Sequence, residues 1–197
     1  MPPCLVVGCG RNGVSETGAV MPQVTLIGYR GVGKTSVAEA LSATLGCSWC
    51  DCDVELERRC GRTIADIITR DGEAAFRDAE EELLSELLAG FAGVLATGGG
   101  VVVRDANRQR LAAEGRPVVW LQADAATIRR RLAADPATAS RRPGLTTANP
   151  LDEVAALLAA REPLYASVAD LTVDTTAEPA AAVVERIVAW LTAQEAA

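Results

Sequence analysis

Eight consecutive residues constrain this chain more than any others: Gly28-Tyr29-Arg30-Gly31-Val32-Gly33-Lys34-Thr35, with the spacing G-x-x-x-x-G-K-[ST]. The β-branched run Val24-Thr25-Leu26-Ile27 precedes them. Val37, Ala38, Leu41 and Leu45 follow at helical spacing. A strand that turns through glycines into a helix start aims backbone N–H groups, and the positive end of the helix, at an anion. Lys34 is the only lysine in a chain with 19 basic residues. Its position has a reason in shape: a compact ammonium on a flexible stem reaches between phosphates, whereas a planar guanidinium suits bidentate pairing. The Thr35 hydroxyl is placed to ligate Mg²⁺. The pattern predicts a site for a nucleoside triphosphate.

Five segments read as strands: Val24–Gly28, Ser48–Asp51, Val94–Thr97, Val118–Gln122 and Leu171–Asp174. Helical patterns separate them, at Thr35–Leu45, Asp53–Cys60, Asp71–Leu88, Asp105–Glu114, Ala125–Ala134, Leu151–Tyr165 and Pro179–Ala193, with Thr63 as an N-cap and Asp66 three residues on. Alternating strands and helices predict an α/β fold with a parallel sheet and helices on both faces. Residues 135–150 are polar and contain Pro136, Pro143, Gly144 and Pro150; they read as a mobile lid between two helices. One domain over 21–194 is expected. Residues 1–20 read as a mobile extension, with Met21 a plausible alternative start.

Composition narrows the function classes. The net charge of −7 and the lack of a basic stripe argue against a nucleic-acid surface. Arg129-Arg130-Arg131 reads either as a solvated helix face or as a cluster on the nucleotide side. No run approaches the ~18–20 apolar residues of a membrane span. Cys47-Ser48-Trp49-Cys50, with Cys52 and Cys60 nearby, invites a metal reading, but the chain has no histidine and no second C-x-x-C. These cysteines read as ordinary small residues of a reducing compartment. Gly8-Cys9-Gly10-Arg11-Asn12-Gly13 matches a dinucleotide fingerprint without the helix that should follow it. No export signal is evident, so a cytoplasmic protein is expected.

A second constellation begins at Asp51-Cys52-Asp53. Alternation along a strand puts both carboxylates on one side, at the carboxyl end of the strand where open α/β sheets bind ligands. One would hold Mg²⁺ while the other faces an acceptor hydroxyl. The local alternative is that Asp53 caps the next helix. The residues leave both readings open. Further along stand Gly72-Glu73-Ala74-Ala75-Phe76-Arg77-Asp78-Ala79-Glu80, Gly98-Gly99-Gly100, Arg142-Pro143 and Arg161-Glu162-Pro163-Leu164-Tyr165. With these motifs in this order, the sequence from about 22 to 192 resembles the shikimate kinase family.

The resemblance implies a phosphate-loop kinase with a five-stranded parallel sheet in the order 2-3-1-4-5. It implies transfer of the γ-phosphoryl of ATP to the 3-hydroxyl of shikimate, with Mg²⁺. Gly31, Val32, Gly33, Lys34, Thr35 and Ser36 would bind ATP, with Arg131 and Pro179 on its adenine side. Thr35 and Asp51 would serve the metal, and Asp53 would accept hydrogen bonds from the acceptor hydroxyls as the candidate base. Arg77 and Arg161 would pair with the shikimate carboxylate, and Gly98, Gly99 and Gly100 would present backbone N–H groups. Arg142 would close over the transferring group. Taken singly, Arg77 is equally a surface partner of Glu73 or Glu80 at helical spacing, and Arg161 a helix-terminal charge. Glu73 and Glu80 can instead orient the Arg77 fork. Ile68 stands where many members carry a phenylalanine, and Gly144 where a leucine is common. The expected partners are ATP and shikimate, with no nucleic acid or membrane, and the expected state is a monomer. The rival readings are a related small-molecule kinase, such as gluconate kinase, and a non-catalytic nucleotide-binding protein.

Overall fold

The computed structural model describes residues 24–115, 117–134 and 150–196. The fingerprint at Gly8–Gly13, Met21, most of the expected lid, Arg142 and Gly144 lie outside the described residues. The elements are β1 (Val24–Ile27), α1 (Lys34–Leu45), β2 (Trp49–Asp51), α2 (Cys52–Cys60), α3 (Ile64–Gly90), β3 (Val94–Ala96), α4 (Asp105–Glu114), β4 (Val118–Gln122), α5 (Ala125–Ala134), α6 (Pro150–Ala166), β5 (Leu171–Asp174) and α7 (Ala180–Glu195). A short 3₁₀ turn, Val101–Val103, follows β3. No helix among the described residues is long and apolar enough to cross a membrane.

All five strands are parallel, in the order β2-β3-β1-β4-β5. The sheet is apolar on both faces because side chains alternate along each strand. Val24 and Leu26 of β1, with Val119 and Leu121 of β4, join Val37 and Leu41 of α1 and Val183 and Ile187 of α7 in one buried cluster. Ile27, Val118 and Trp120 point the other way, onto Phe76, Leu84 and Leu87 of α3 and Leu111 of α4. Full burial of one such side chain contributes roughly 1.5–3 kcal/mol.

This layering positions the site. After β1 the chain leaves through α1 onto one face, and after β3 it leaves through α4 onto the other. β1 and β3 are neighbours, in register from Val24 opposite Val94 to Leu26 opposite Ala96. Their carboxyl ends therefore open a crevice between two diverging connections, where open α/β sheets bind ligands. The phosphate loop stands on one side of it and the triple glycine on the other.

Two local expectations are corrected. β2 stops at Asp51 and α2 begins at Cys52, so Asp53 lies on a helix and strand alternation does not align the two carboxylates. The N-cap of α2 is Asp51, not Asp53: its Oδ1 accepts from the backbone N–H of Asp53 at 3.0 Å and of Val54 at 3.2 Å. The helix expected from Asp71 follows a separate helical segment capped by Thr63, whose hydroxyl oxygen accepts from Asp66 N–H. The two parts meet at a kink at Gly72, with φ 90° and ψ 164°.

Candidate active site

The phosphate loop closes on α1 through Gly33, the helix N-cap, which has left-handed φ 97° and ψ 18°. Lys34 opens the helix, and its Nζ donates to the carbonyls of Gly28 at 2.8 Å and Tyr29 at 3.0 Å. The only ammonium side chain is thus held over the loop that would cradle phosphates. Gly31, Gly33, Lys34, Thr35 and Ser36 line a cleft of about 470 Å³, and Asp51, Asp53, Thr97, Gly99 and Arg131 share its wall. The Val32 side chain is buried instead, so this residue serves the loop through its backbone. The Val32 carbonyl accepts from the buried Thr175 hydroxyl at 3.0 Å.

Arg131, from α5, fastens the back of the loop. Its Nη1 reaches the Gly31 and Val32 carbonyls, both at 3.4 Å, and its Nη2 donates to the Thr175 carbonyl at 2.6 Å. The Arg run therefore splits: Arg131 joins the phosphate loop, while Arg130 reaches the hydroxyl of Thr127 on its own helix. Pro179 is the N-cap residue of α7 and is not among the residues lining this cleft.

Asp51 joins the two readings that the sequence left open. One carboxylate oxygen caps α2, and the other accepts the Thr35 hydroxyl at 2.7 Å. A hydroxyl and a carboxylate side by side, next to the phosphate loop, form a hard oxygen set that fits Mg²⁺. Thr35 and Asp51 are the residues that would hold such an ion.

The acceptor side is assembled by close approach. Gly98 and Gly100 do not have positive φ, so their lack of a side chain answers to space. A Cβ on Gly98 would lie 2.7 Å from an Asp53 carboxylate oxygen and 2.6 Å from one of Glu80. A Cβ on Gly100 would collide with the Arg77 guanidinium. Larger residues here would expel the charged groups that the motifs supply. Gly99 is pressed against the phosphate loop, its added Cβ meeting Arg30 N at 2.9 Å. The triple glycine is thus the joint between donor and acceptor regions.

Arg77 is not a surface charge. Its side chain is 8% exposed and that of its partner Glu80 6%; Nη1 donates to Glu80 Oε2 at 2.6 Å. Nη2 reaches the half-exposed Glu73 at 3.3 Å, and the guanidinium lies 4.8 Å from the Phe76 ring centroid. A buried ion pair is costly to desolvate and weak as a source of stability. Its presence points to a fork held ready for an anion. Arg161 of α6 donates Nη1 to the Gly99 carbonyl at 3.3 Å and lies 5.6 Å from the Tyr29 ring centroid. Arg77 and Arg161, far apart in sequence, therefore meet successive residues of the triple glycine. Ile64 lines the cleft, whereas Ile68 packs on the buried cluster beneath α3.

The sequence motifs assign no role to three residues of this region. Arg30 lines the cleft, Tyr29 carries two guanidinium groups near its ring, and Tyr165 bonds the triple glycine. All three lie inside the phosphate-loop or R-x-P-L-Y motifs, which is the one signal that marks them. Cys47, Cys50, Cys52 and Cys60 form no disulfide among the described residues. Burial, then the neighbouring Cys50 and carboxylates, pushes the Cys52 thiol well above its ordinary value and keeps it neutral.

Comparison with known proteins gives the family. A family model described as shikimate kinase matches residues 30–192. A shikimate kinase from Thermobifida fusca is 44% identical over 155 residues, covering 79% of this chain and 86% of its own. One from Rhodopirellula baltica is 42% identical over 158 residues, covering 80% and 84%. Among solved structures, the shikimate kinase from Acinetobacter baumannii in complex with shikimate is similar with TM-score 0.82 at 36% identity, covering 88% of this chain and 94% of that one.

Proposed function

The chain belongs to the shikimate kinase family and is an enzyme of that activity; we propose that it transfers the γ-phosphoryl of ATP to the 3-hydroxyl of shikimate in the crevice between β1 and β3. The observation that carries the residue assignment is the shared wall, in which Lys34, Thr35 and Asp51 face the same cleft as Asp53 and Gly99.

Phosphoryl transfer asks a protein mainly for positioning and charge stabilisation. The backbone N–H groups from Gly31 to Ser36 hold the phosphates of ATP. Lys34 moves its ammonium from the loop carbonyls to the β- and γ-phosphates. Thr35 and Asp51 would hold Mg²⁺, which would supply charge neutralisation at the phosphate oxygens when bound. Asp53 accepts the hydrogen bond of the attacking hydroxyl and takes its proton. Arg77 and Arg161 clamp the shikimate carboxylate with planar forks, and the Gly98–Gly100 backbone lies between that carboxylate and the phosphates. Arg131 and Pro179 flank the adenine. The proposal includes a monomer acting in the cytoplasm.

The test is ADP release from Mg²⁺-ATP with shikimate, with gluconate and with no acceptor. Shikimate-dependent release is expected, falling by about 10³-fold in Asp53→Asn while ATP binding stays within about twofold. Near-wild-type turnover in that variant would remove Asp53 from the mechanism. Gluconate turning over faster than shikimate would reassign the acceptor.

A further inference from the structure

Tyr165 closes the R-x-P-L-Y segment, and the mechanism above leaves it without a task. It is fully buried, and its ring stacks on Trp120 of β4 with centroids 5.7 Å apart and planes at 23°. Its hydroxyl donates to the Gly99 carbonyl at 2.5 Å. A phenylalanine would fill the same apolar space without burying a hydroxyl, which is costly to desolvate. The hydroxyl is explained by that carbonyl and by the Arg161 guanidinium, which hydrogen-bonds it. Burial raises the Tyr165 pKa far above the ordinary tyrosine value, against an opposing pull from Arg161. The group stays a protonated donor throughout the neutral range.

The bonded carbonyl sits at a sensitive point. Three consecutive glycines have more backbone freedom than any other tripeptide, so their orientation must come from outside. A peptide unit is planar, and fixing the Gly99 C=O also fixes the Gly100 N–H on the opposite edge. Gly100 is the residue against which the Arg77 guanidinium packs. The same Gly99 oxygen accepts from Arg161 at 3.3 Å. Tyr29 lies near the face of the Arg161 fork and Gly99 at its edge, and Tyr165 holds Gly99 in place while its hydroxyl also hydrogen-bonds Arg161 itself.

We propose that Tyr165 is a positioning residue for the acceptor: its hydroxyl anchors the Gly99 carbonyl, which orients the Gly99–Gly100 peptide and sets the angle of the Arg161 fork. This rests on the reading of Arg161 as the carboxylate clamp.

Tyr165→Phe in the full chain is the test, because it keeps the Trp120 stack. The expected result is a KM for shikimate raised about 5- to 10-fold, with KM for ATP within about twofold and the melting temperature nearly unchanged. A merely structural tyrosine would raise both KM values together and lower the melting temperature, which overturns the proposal. An unchanged KM for shikimate also overturns it. Arg161→Ala separates the two levels of the argument. If that variant leaves the KM for shikimate unchanged, the clamp reading fails; if it raises the KM and Tyr165→Phe does not, only the proposal for Tyr165 fails. A double-mutant cycle of Tyr165→Phe with Arg161→Lys adds a readout independent of either variant alone. Coupling of about threefold or more in kcat/KM for shikimate is expected for two donors on one oxygen, and additive losses would overturn it.

Discussion

Gly33 on the donor side and Gly100 on the acceptor side are both glycines for different reasons. Gly33 has φ 97°, a left-handed conformation, and a Cβ there would meet nothing within 4 Å. Gly100 has φ −106° and ψ 3°, within reach of other residues, but a Cβ there would strike the Arg77 guanidinium. The first glycine is demanded by the path of its own backbone, and the second by a side chain from another helix. The contrast extends to the whole regions. The proposed donor site is built by consecutive residues, from Gly31 to Ser36, on one loop and helix start. The proposed acceptor site is built by side chains from α2, α3 and α6 gathered around three residues that have none.

The largest effect expected from this contrast is at Gly100. Gly100→Ala displaces a fork pinned by Glu80, so kcat/KM for shikimate should fall by about 10²-fold or more while ATP affinity changes little. Steady-state kinetics with each substrate varied checks this. The backbone argument is sharpened by asparagine, which tolerates the left-handed region. By melting temperature, Gly33→Asn should be milder than Gly33→Ala, and Gly100→Asn harsher than Gly100→Ala. The reverse order at either site would break the comparison.

Next in size is the buried pair. Arg77→Ala removes the buried guanidinium that Glu80 faces and should cost about 3–5 kcal/mol of stability. For a chain of this length that is on the order of 10 °C in melting temperature. Arg161→Ala, which breaks no ion pair of that kind among the described residues, should leave the melting temperature within a few degrees. If both variants melt alike, the distinction between a stability-coupled fork and a simpler one is wrong.

The smallest effect separates the two jobs of Asp51. Asp51→Asn keeps a capping oxygen and should preserve stability while weakening Mg²⁺-dependent turnover. Asp51→Ala loses the cap as well and should cost about 1 kcal/mol, roughly 2–4 °C in melting temperature. Thermal melts beside a Mg²⁺ titration of activity decide it; equal melting in the two variants would remove the capping role.

Much of the donor side is legible in the amino-acid sequence. The strand, loop and helix around Lys34 are a local pattern, and β4, β5 and α4 fall at the residues that alternation and helical spacing indicate. The D-x-D segment departs from its sequence pattern in detail, because the helix cap falls two residues earlier than expected, at Asp51 instead of Asp53. Asp51 caps, and Asp53 reaches the cleft from a helical turn. Arg77 is open to a surface reading because Glu73, Arg77 and Glu80 at helical spacing look the same whether the face is wet or dry. Only the sheet and the triple glycine packed on it make that face dry.

The sequence by itself determined the phosphate loop, the element order and, through its motifs in series, the family. Each of these depends on residues within a few positions of one another, where covalent geometry, periodicity and capping act. The tertiary structure alone decided that the Tyr165 hydroxyl meets a carbonyl 66 residues away, that Thr175 supports Val32 across 143 residues, and that two arginines converge on the triple glycine. Such contacts follow from how helices stack on the two faces of a five-stranded sheet, and no local pattern encodes which distant backbone a side chain will find.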